Sequence, residues 1–199
     1  MKLVEPGTQF TPGAVGCAAS HFRIWQQVVE SETPALVFED DAVLRNDIQA
    51  RLDFLLAGLT NWDYIALGYN MDVLLDVDWA PGMRSMMVFE PKYPNDEYAA
   101  VFQVSTAQVA AVRLNNCFGT PGYVVSPAGA RKLLQLCFPM DNRSFPIPAL
   151  DATARVIGID SMLNTAFASI RAFACFAPLV VAKNDKATST VQTGAAQSW

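Results

Sequence analysis

The chain has 199 residues, of which 52% are hydrophobic and 17% are charged, and its formal net charge is −5. This length and composition predict one folded domain, and the acidic balance without a Lys or Arg stripe argues against nucleic-acid binding. The N-terminus lacks a signal-peptide core, and no apolar run reaches the roughly 18 residues of a membrane span. We therefore expect a cytoplasmic protein, and peripheral contact with the inner face of the membrane stays open.

The first predicted helix spans residues 12–30. Thr11 is a suitable N-cap, and Pro12 occupies the first helical position, where a missing N–H does no harm. Apolar residues at spacings of three and four predict the buried stripe: Val15, Ala18, Phe22, Trp25 and Val29. His21 lies beside this stripe, and the interpretation we favour for a lone histidine there is a structural hydrogen bond, with a catalytic role as the alternative.

An apolar strand comes next and ends in three acids. Ala35–Phe38 has the length and composition of an interior strand, and Glu39, Asp40 and Asp41 follow it directly. Alternate side chains of an extended segment point the same way, so Glu39 and Asp41 could share Mg²⁺ or Mn²⁺ while Asp40 faces elsewhere. The competing interpretation is a solvated acidic turn.

A second helix and a second strand follow the acids. Asn46 is the predicted N-cap of a helix with a leucine-rich buried face, and residues 63–68 form the next strand. This alternation of helices and strands is typical of a parallel sheet with crossover helices. The buried face comprises Ile48, Leu52, Leu55, Leu56 and Leu59.

The middle and the end of the chain give weaker signals. Residues 69–95 are irregular, with one short strand at 86–89, and such long loops often act as lids. Residues 99–104 and 109–114 have the composition of a hairpin, whereas residues 183–199 are a polar tail. Four widely spaced cysteines predict buried free thiols and not a zinc site: Cys17, Cys117, Cys137 and Cys175.

Two further turns carry candidate site residues. The run from Gly119 leads through a strand to Ser126, which is the predicted N-cap of a helix that continues through Leu136. Backbone N–H groups at this helix start could hold an anion, with Arg131 or Lys132 nearby. Asp160 precedes another helical run, residues 161–168, either as its N-cap or in a catalytic role.

Three blocks of this sequence together resemble glycosyltransferase family 25, which includes bacterial lipooligosaccharide galactosyltransferases and collagen galactosyltransferases. The first block reads TPGAVGCAASH and continues to the Glu-Asp-Asp run. The second reads GTPGYVVSPAGARKLL, and the third reads GID, ending at Asp160. The resemblance implies a single-domain α/β fold of the GT-A-like type, with a mixed, mainly parallel sheet flanked by helices, over residues 1–182.

The resemblance also implies which residues form the site. Glu39, Asp40 and Asp41 stand where the family carries its metal-binding acids, so Mn²⁺ or Mg²⁺ is the expected cofactor. The donor-binding residues implied in the same way are Ser20, His21, Gly119 and Tyr123. Asp160 is our candidate for the base that removes a proton from the acceptor hydroxyl, or for an acceptor contact.

Two departures from the family pattern are visible. The strand with which family members ordinarily open is absent before residues 1–3, so we expect an N-terminally truncated domain. Ala14 stands where the family often has Glu, which removes a capping box at a cost of a few tenths to about 1 kcal/mol.

The leading hypothesis is a metal-dependent inverting glycosyltransferase that moves a sugar, often galactose, from a UDP-sugar to a glycolipid or surface-polysaccharide acceptor. The main alternative is a non-catalytic carbohydrate- or nucleotide-binding domain of the same fold. A metal-dependent phosphoesterase ranks lower, because one acidic run and one histidine provide little for a two-metal site. The donor sugar, the acceptor, the linkage and a homo-oligomeric state stay open.

Overall fold

The computed structural model describes residues 2–89 and 96–183. Its helices are α1 (Pro12–Ser31), α2 (Ile48–Gly58), α3 (Asp96–Gln103), α4 (Pro127–Cys137) and α5 (Ile159–Ala166). The first six strands are β1 (Ala35–Phe38), β2 (Ala42–Leu44), β3 (Tyr64–Ala66), β4 (Leu74–Ala80), β5 (Met83–Val88) and β6 (Ala110–Asn116). The other five are β7 (Gly122–Val125), β8 (Ser144–Ile147), β9 (Ala152–Arg155), β10 (Ala172–Phe176) and β11 (Val180–Ala182).

Seven strands form one mixed sheet in the order β1-β7-β3-β10-β6-β4-β5. Two small sheets, β11-β2 and β8-β9, complete the strand pairing of the described residues. The prediction of a single-domain α/β fold with a mixed sheet is confirmed. Within the large sheet, however, only β3 and β10 pair in parallel, and the other neighbours are antiparallel.

Strand β7 explains why the helix–strand alternation did not produce a mainly parallel sheet. It pairs antiparallel with both β1 and β3, so those two strands run in the same direction but do not touch. This places β1 at the edge of the sheet, where Leu36 is 41% exposed. The prediction that β1 is an interior strand is therefore wrong.

Helices cover both faces of the sheet. Helices α1, α4 and α5 contact one another and share a core with one face, whereas α2 packs on the opposite face. In β3 the side chains of Tyr64 and Ala66 enter the first core, and that of Ile65 enters the second. This alternation follows from the two-residue period of a strand, and it explains why β3 is buried on both sides.

Two of the three N-cap residues predicted for α1, α2 and α4 form the expected cap. The side chain of Thr11 accepts a hydrogen bond from the Ala14 N–H, and that of Ser126 accepts one from the Gly129 N–H, as predicted. Asn46 does not cap α2: Asp47 occupies that position and makes no cap bond, because its carboxylate pairs with two arginines.

The buried face of α1 differs from the predicted stripe by a rotation of about one residue. Ala18 and Trp25 are common to both, but the structure also buries His21. The remaining buried residues of α1 are Ala14 and Val28. His21 thus lies inside the helix–sheet interface and not beside it.

Two predictions for the middle of the chain are wrong. Residues 74–88, expected to be mostly irregular, form the β4–β5 hairpin, and residues 99–103 belong to helix α3 and not to a strand. Acids interrupt the apolar pattern of β4, but Asp76 is buried against Arg84 of the neighbouring strand. Residues 90–95 and the predicted tail after residue 183 lie outside the described residues.

Asp63 connects α4 to the start of β3. Its Oδ2 atom accepts hydrogen bonds from Lys132 Nζ at 2.6 Å and from the Arg171 N–H at 2.8 Å. Arg131 in turn pairs with Glu32. Because both basic residues of α4 already have carboxylate partners, the suggested anion site with Arg131 or Lys132 is not supported.

The four cysteines are free thiols, as predicted, and all except half-buried Cys17 are buried.

The close approach of α4 to β3 predicts opposite effects of alanine at two helical glycines. A Cβ atom on Gly129 would lie 2.0 Å from the Asp63 carbonyl oxygen, whereas one on exposed Gly16 of α1 would meet nothing within 4 Å. We expect Gly129→Ala to lower the free energy of unfolding by more than about 2 kcal/mol and Gly16→Ala to raise it by about 1 kcal/mol. Urea denaturation of both variants tests this pair, and an unchanged midpoint for Gly129→Ala would contradict the described packing.

Candidate active site

The candidate site lies where Glu39 leaves β1 beside the loop that leads into β7. The Glu39 N–H donates to the Pro121 carbonyl, which extends the β1–β7 pairing by one step. The Glu39 side chain then accepts a 2.5 Å hydrogen bond at Oε1 from the Thr120 hydroxyl. Backbone and side chain of Glu39 are thus both attached to the same loop.

The three acids form a turn and not the extended segment that the sequence predicted. The Ala42 N–H donates to the Glu39 carbonyl and closes this turn before β2. Glu39 and Asp41 are nevertheless half-buried while Asp40 is exposed. The expected division between the two sheltered acids and the outward one is therefore present, although a turn produces it.

Asp160 reaches the same loop from the first turn of α5. Its Oδ2 atom accepts a hydrogen bond from the Gly119 N–H at 3.3 Å. Gly119 has φ of 76°, and a Cβ there would lie 2.1 Å from the Asn70 side-chain oxygen, so only glycine fits this position. Asp160 is not the N-cap of α5, since Gly158 holds that position.

Asn164 on α5 was not predicted from the sequence, and it holds the start of the loop that leads into β7. One turn after Asp160, its side chain accepts from the Cys117 N–H at 3.0 Å and donates to the Cys117 carbonyl at 2.7 Å. These two bonds hold both backbone groups of one loop residue. The partners are 47 residues apart in the chain, so no local pattern could have indicated the contact.

The site concentrates negative charge. Burial raises the pKa of Glu39, the Thr120 hydrogen bond opposes this, and the charges of Asp41, Asp160 and Asp40 raise it further. Burial also raises the pKa of Asp160, against the effect of its backbone hydrogen bonds. Of the ion pairs among the described residues, none involves Glu39 or Asp160.

The donor atoms at this turn suit a hard divalent cation, but the side chains do not enclose one. Within residues 2–89 and 96–183, no three His, Cys, Asp or Glu side chains group closely enough to hold a metal ion. Mg²⁺ sites commonly use one or two carboxylates together with phosphate oxygens of the substrate and water. Glu39 and Asp41, with no cation paired to Glu39, fit this open type of site.

His21 and Tyr123 lie together in the core beside this edge. His21 Nδ1 is 2.7 Å from the Tyr123 hydroxyl, to which Trp25 Nε1 also donates at 3.0 Å. Burial lowers the pKa of His21 to about 4, so the ring is neutral at pH 7. The favoured structural hydrogen bond of His21 is confirmed, with Tyr123 as its partner. Ser20, by contrast, is exposed, and its hydroxyl donates to the Gly16 carbonyl of its own helix.

The structure therefore brings most of the predicted site residues to one edge. Glu39, Gly119 and Asp160 are linked through one loop, and Cys17 on α1 lies close enough for its pKa to be raised to about 12 by burial and by the charges of Glu39 and Asp160. Ser20 makes no contact with this group among the described residues. Thr120, Asn70 and Asn164 are additional residues that only the structure identifies.

Comparison with known proteins decides the family. Residues 1–147 match the family model described as "Glycosyltransferase family 25 (LPS biosynthesis protein)". The chain belongs to glycosyltransferase family 25. The family membership expected from the three sequence blocks is thus confirmed.

Curated members of the family differ in their activity. The chain is 34% identical over 133 residues to the "Probable inactive glycosyltransferase 25 family member 3" of Bos taurus, and 31% identical over 134 residues to "Procollagen galactosyltransferase 1-A" of Xenopus laevis. Each alignment covers 64% of this chain and 18% of the relative. The chain therefore matches less than a fifth of the length of these two proteins.

No helix among the described residues is long and apolar enough to cross a membrane.

The buried histidine predicts a pH dependence of stability. Between its ordinary pKa of 6.5 and its value of about 4 in the folded protein, only the unfolded chain binds the proton, so acid favours unfolding. We expect this residue to remove about 3 kcal/mol of stability between pH 7 and pH 4.

The raised pKa values of Glu39 and Asp160 act in the opposite direction, so wild type must be compared with His21→Gln. Urea denaturation at both pH values should give a steeper loss of stability for wild type than for the variant. Equal losses would contradict a neutral, buried His21.

Proposed function

We propose that the chain carries the donor site of an inverting glycosyltransferase that uses a UDP-sugar, with galactose as the expected sugar and a glycolipid or surface polysaccharide as acceptor. The observation that carries the proposal is the acid-rich edge: Glu39 and Asp160 are half-buried, the charge of Asp160 helps to raise the pKa of Glu39, and neither pairs with a cation within residues 2–89 and 96–183. Like charges with raised pKa values in one place are typical of functional sites.

A divalent cation, Mn²⁺ or Mg²⁺, is the proposed cofactor and would stabilise negative charge on the leaving nucleoside diphosphate. Asp41, with Glu39 or Asp40, would hold it. Thr120 keeps the Glu39 carboxylate in place through the 2.5 Å hydrogen bond, so this oxygen donor needs little reorganisation when ligands arrive. Asp40 is exposed at the same turn.

Inversion requires a base on the face of the sugar opposite the leaving group, and we assign this role to Asp160. Burial raises its pKa toward the working range of a general base. The Gly119 N–H binds Oδ2 of the carboxylate, and groups at the start of α5 also donate to it, so its orientation is fixed. Asn164 supports this geometry because it holds the adjoining Cys117 backbone.

A second candidate is a non-catalytic nucleotide- or carbohydrate-binding domain. The similarity to the family member named as inactive in Bos taurus favours it. Such a domain would keep the fold and bind a UDP-sugar without consuming it. Turnover, measured as release of UDP in the presence of candidate acceptors, distinguishes the two.

Donor binding should depend on the acidic turn. In calorimetric titrations of UDP and UDP-galactose, we expect binding that requires Mn²⁺ and that Asp41→Asn weakens at least about tenfold, since a ligand of the cation is lost. Asp53→Asn is the matched control, because this exposed acid of α2 has the same charge and lies outside the site. Absence of heat with folded wild-type protein would overturn the proposed donor site.

Asp160→Asn should separate binding from chemistry. The amide oxygen can still accept from the Gly119 N–H, so the loop and UDP binding should be retained, while sugar transfer should fall about 10²- to 10⁴-fold because an amide is no base. The measurement is the rate of UDP release at saturating donor, with circular dichroism as the folding control. Full transfer activity in this variant would show that Asp160 is not the base.

A further inference from the structure

The hydrogen bonds around Tyr123 determine the tautomer of His21. The indole N–H of Trp25 can only donate, so the Tyr123 hydroxyl oxygen accepts there at 3.0 Å. The hydroxyl has one hydrogen of its own, and His21 Nδ1 at 2.7 Å is its remaining hydrogen-bond partner among the described residues. Were Nδ1 the donor instead, the buried hydroxyl hydrogen would have no acceptor, which is strongly disfavoured.

An accepting Nδ1 carries no proton, so the neutral ring of His21 has its hydrogen on Nε2. Among the described residues Nε2 has no hydrogen-bond partner. Two side-chain polar atoms of the described residues are fully enclosed and lack a hydrogen-bond partner, Asp63 Oδ1 and the Tyr69 hydroxyl. Nε2 of His21 is not one of them. Nε2–H therefore keeps some accessible surface, although His21 as a whole is only 4% exposed.

His21 borders the acid-rich edge. Tyr123 is paired with Val37, two residues before Glu39 in the chain. One helical turn before His21, the thiol of Cys17 lies within reach of the charges of Glu39 and Asp160. His21 thus lies next to the candidate site, on the side formed by α1 and β7.

The site needs hydrogen-bond donors, because a nucleotide sugar presents mainly oxygen acceptors. The Thr120 hydroxyl already donates to Glu39, and the Gly119 N–H already donates to Asp160. The other groups at the acidic turn are carboxylates, which only accept when ionised. The neutral ring of His21, with its hydrogen on Nε2, supplies what these residues lack.

We propose that His21 binds the nucleotide sugar as a neutral Nε2–H hydrogen-bond donor, and that the Tyr123 hydroxyl fixes the tautomer. This proposal rests on the proposed function, since the ligand is the donor substrate named there. The acceptor is an oxygen of the diphosphate or of the sugar. His21 is then a binding residue and not a base, because its accepting nitrogen is occupied by Tyr123.

Nuclear magnetic resonance of ¹⁵N-labelled protein tests the tautomer directly. His21 is the only histidine of the chain, so the two ring nitrogens need no assignment by mutagenesis. We expect a protonated Nε2 and an unprotonated Nδ1 at pH 7 in the absence of ligand. In Tyr123→Phe, which keeps the ring but removes the hydroxyl, the two tautomers should mix. A protonated Nδ1 in the wild type would overturn the proposal.

Three ligands added in the presence of Mg²⁺, which is diamagnetic and does not broaden nearby resonances as Mn²⁺ does, test the contact and its source. A shift of the Nε2 resonance with pyrophosphate and UDP indicates a phosphate oxygen, and a shift with UDP-galactose alone indicates a sugar oxygen. Calorimetric binding of UDP-galactose without any shift of Nε2 overturns the role of His21 and leaves the proposed function standing. If none of the ligands binds, the proposed function fails and the binding role of His21 fails with it, whatever the tautomer.

Two substitutions provide a test that does not depend on the spectrum. The amide of His21→Gln can place an N–H near the position of Nε2, whereas His21→Leu has a similar size and no donor. We expect affinity for UDP-galactose within about threefold of wild type for the first and roughly tenfold weaker for the second. Equal affinities of the two folded variants would show that the histidine acts only in packing.

Discussion

The position of β7 between β1 and β3 is the constraint on which the site depends. Glu39 pairs with the residue before this strand, and the preceding loop donates to both Glu39 and Asp160. Within the strand, Tyr123 points toward α1 and meets His21. A shift of the register by one residue would turn Tyr123 to the opposite face of the sheet and separate it from His21. Buried side chains on both faces of β7 therefore fix the site as well as the fold.

Acidic side chains at two places on the sheet differ in whether a cation pairs with them. Just before β3, Asp63 is buried. Lys132 neutralises its carboxylate, and the Arg171 N–H donates a hydrogen bond to it. At the candidate site, Glu39 and Asp160 have no cationic partner within the part of the chain that the structure describes, and their pKa values are raised. An unpaired, sheltered charge costs stability, and such arrangements are typical of functional sites.

Features that depend on neighbouring residues, such as helix caps, were predicted from the sequence. Features that depend on contacts between distant residues were not. Thr11 and Ser126 cap their helices with bonds that span three residues, so the sequence sufficed there. Strand β4 was missed because Asp76 interrupts its pattern, and Arg84 compensates for this from the neighbouring strand. The cluster of three acids was identified from adjacent residues, whereas the hydrogen bond that holds Glu39 to Thr120 joins residues 81 positions apart.

Three side chains at the site belong to types that often act as general bases, and their surroundings distinguish them. His21 uses its accepting nitrogen for the Tyr123 hydroxyl, and its pKa of about 4 reflects a ring that resists protonation. Glu39 accepts from Thr120 and lies in the turn that suits a cation, and a carboxylate bound to a cation is a weak base. Asp160 accepts hydrogen bonds from the Gly119 N–H and from groups at the start of α5, and it lies outside the turn proposed to hold the cation. In the proposed function, proton removal is therefore the role of Asp160 on α5, and stabilisation of the leaving group is the role of the turn after β1.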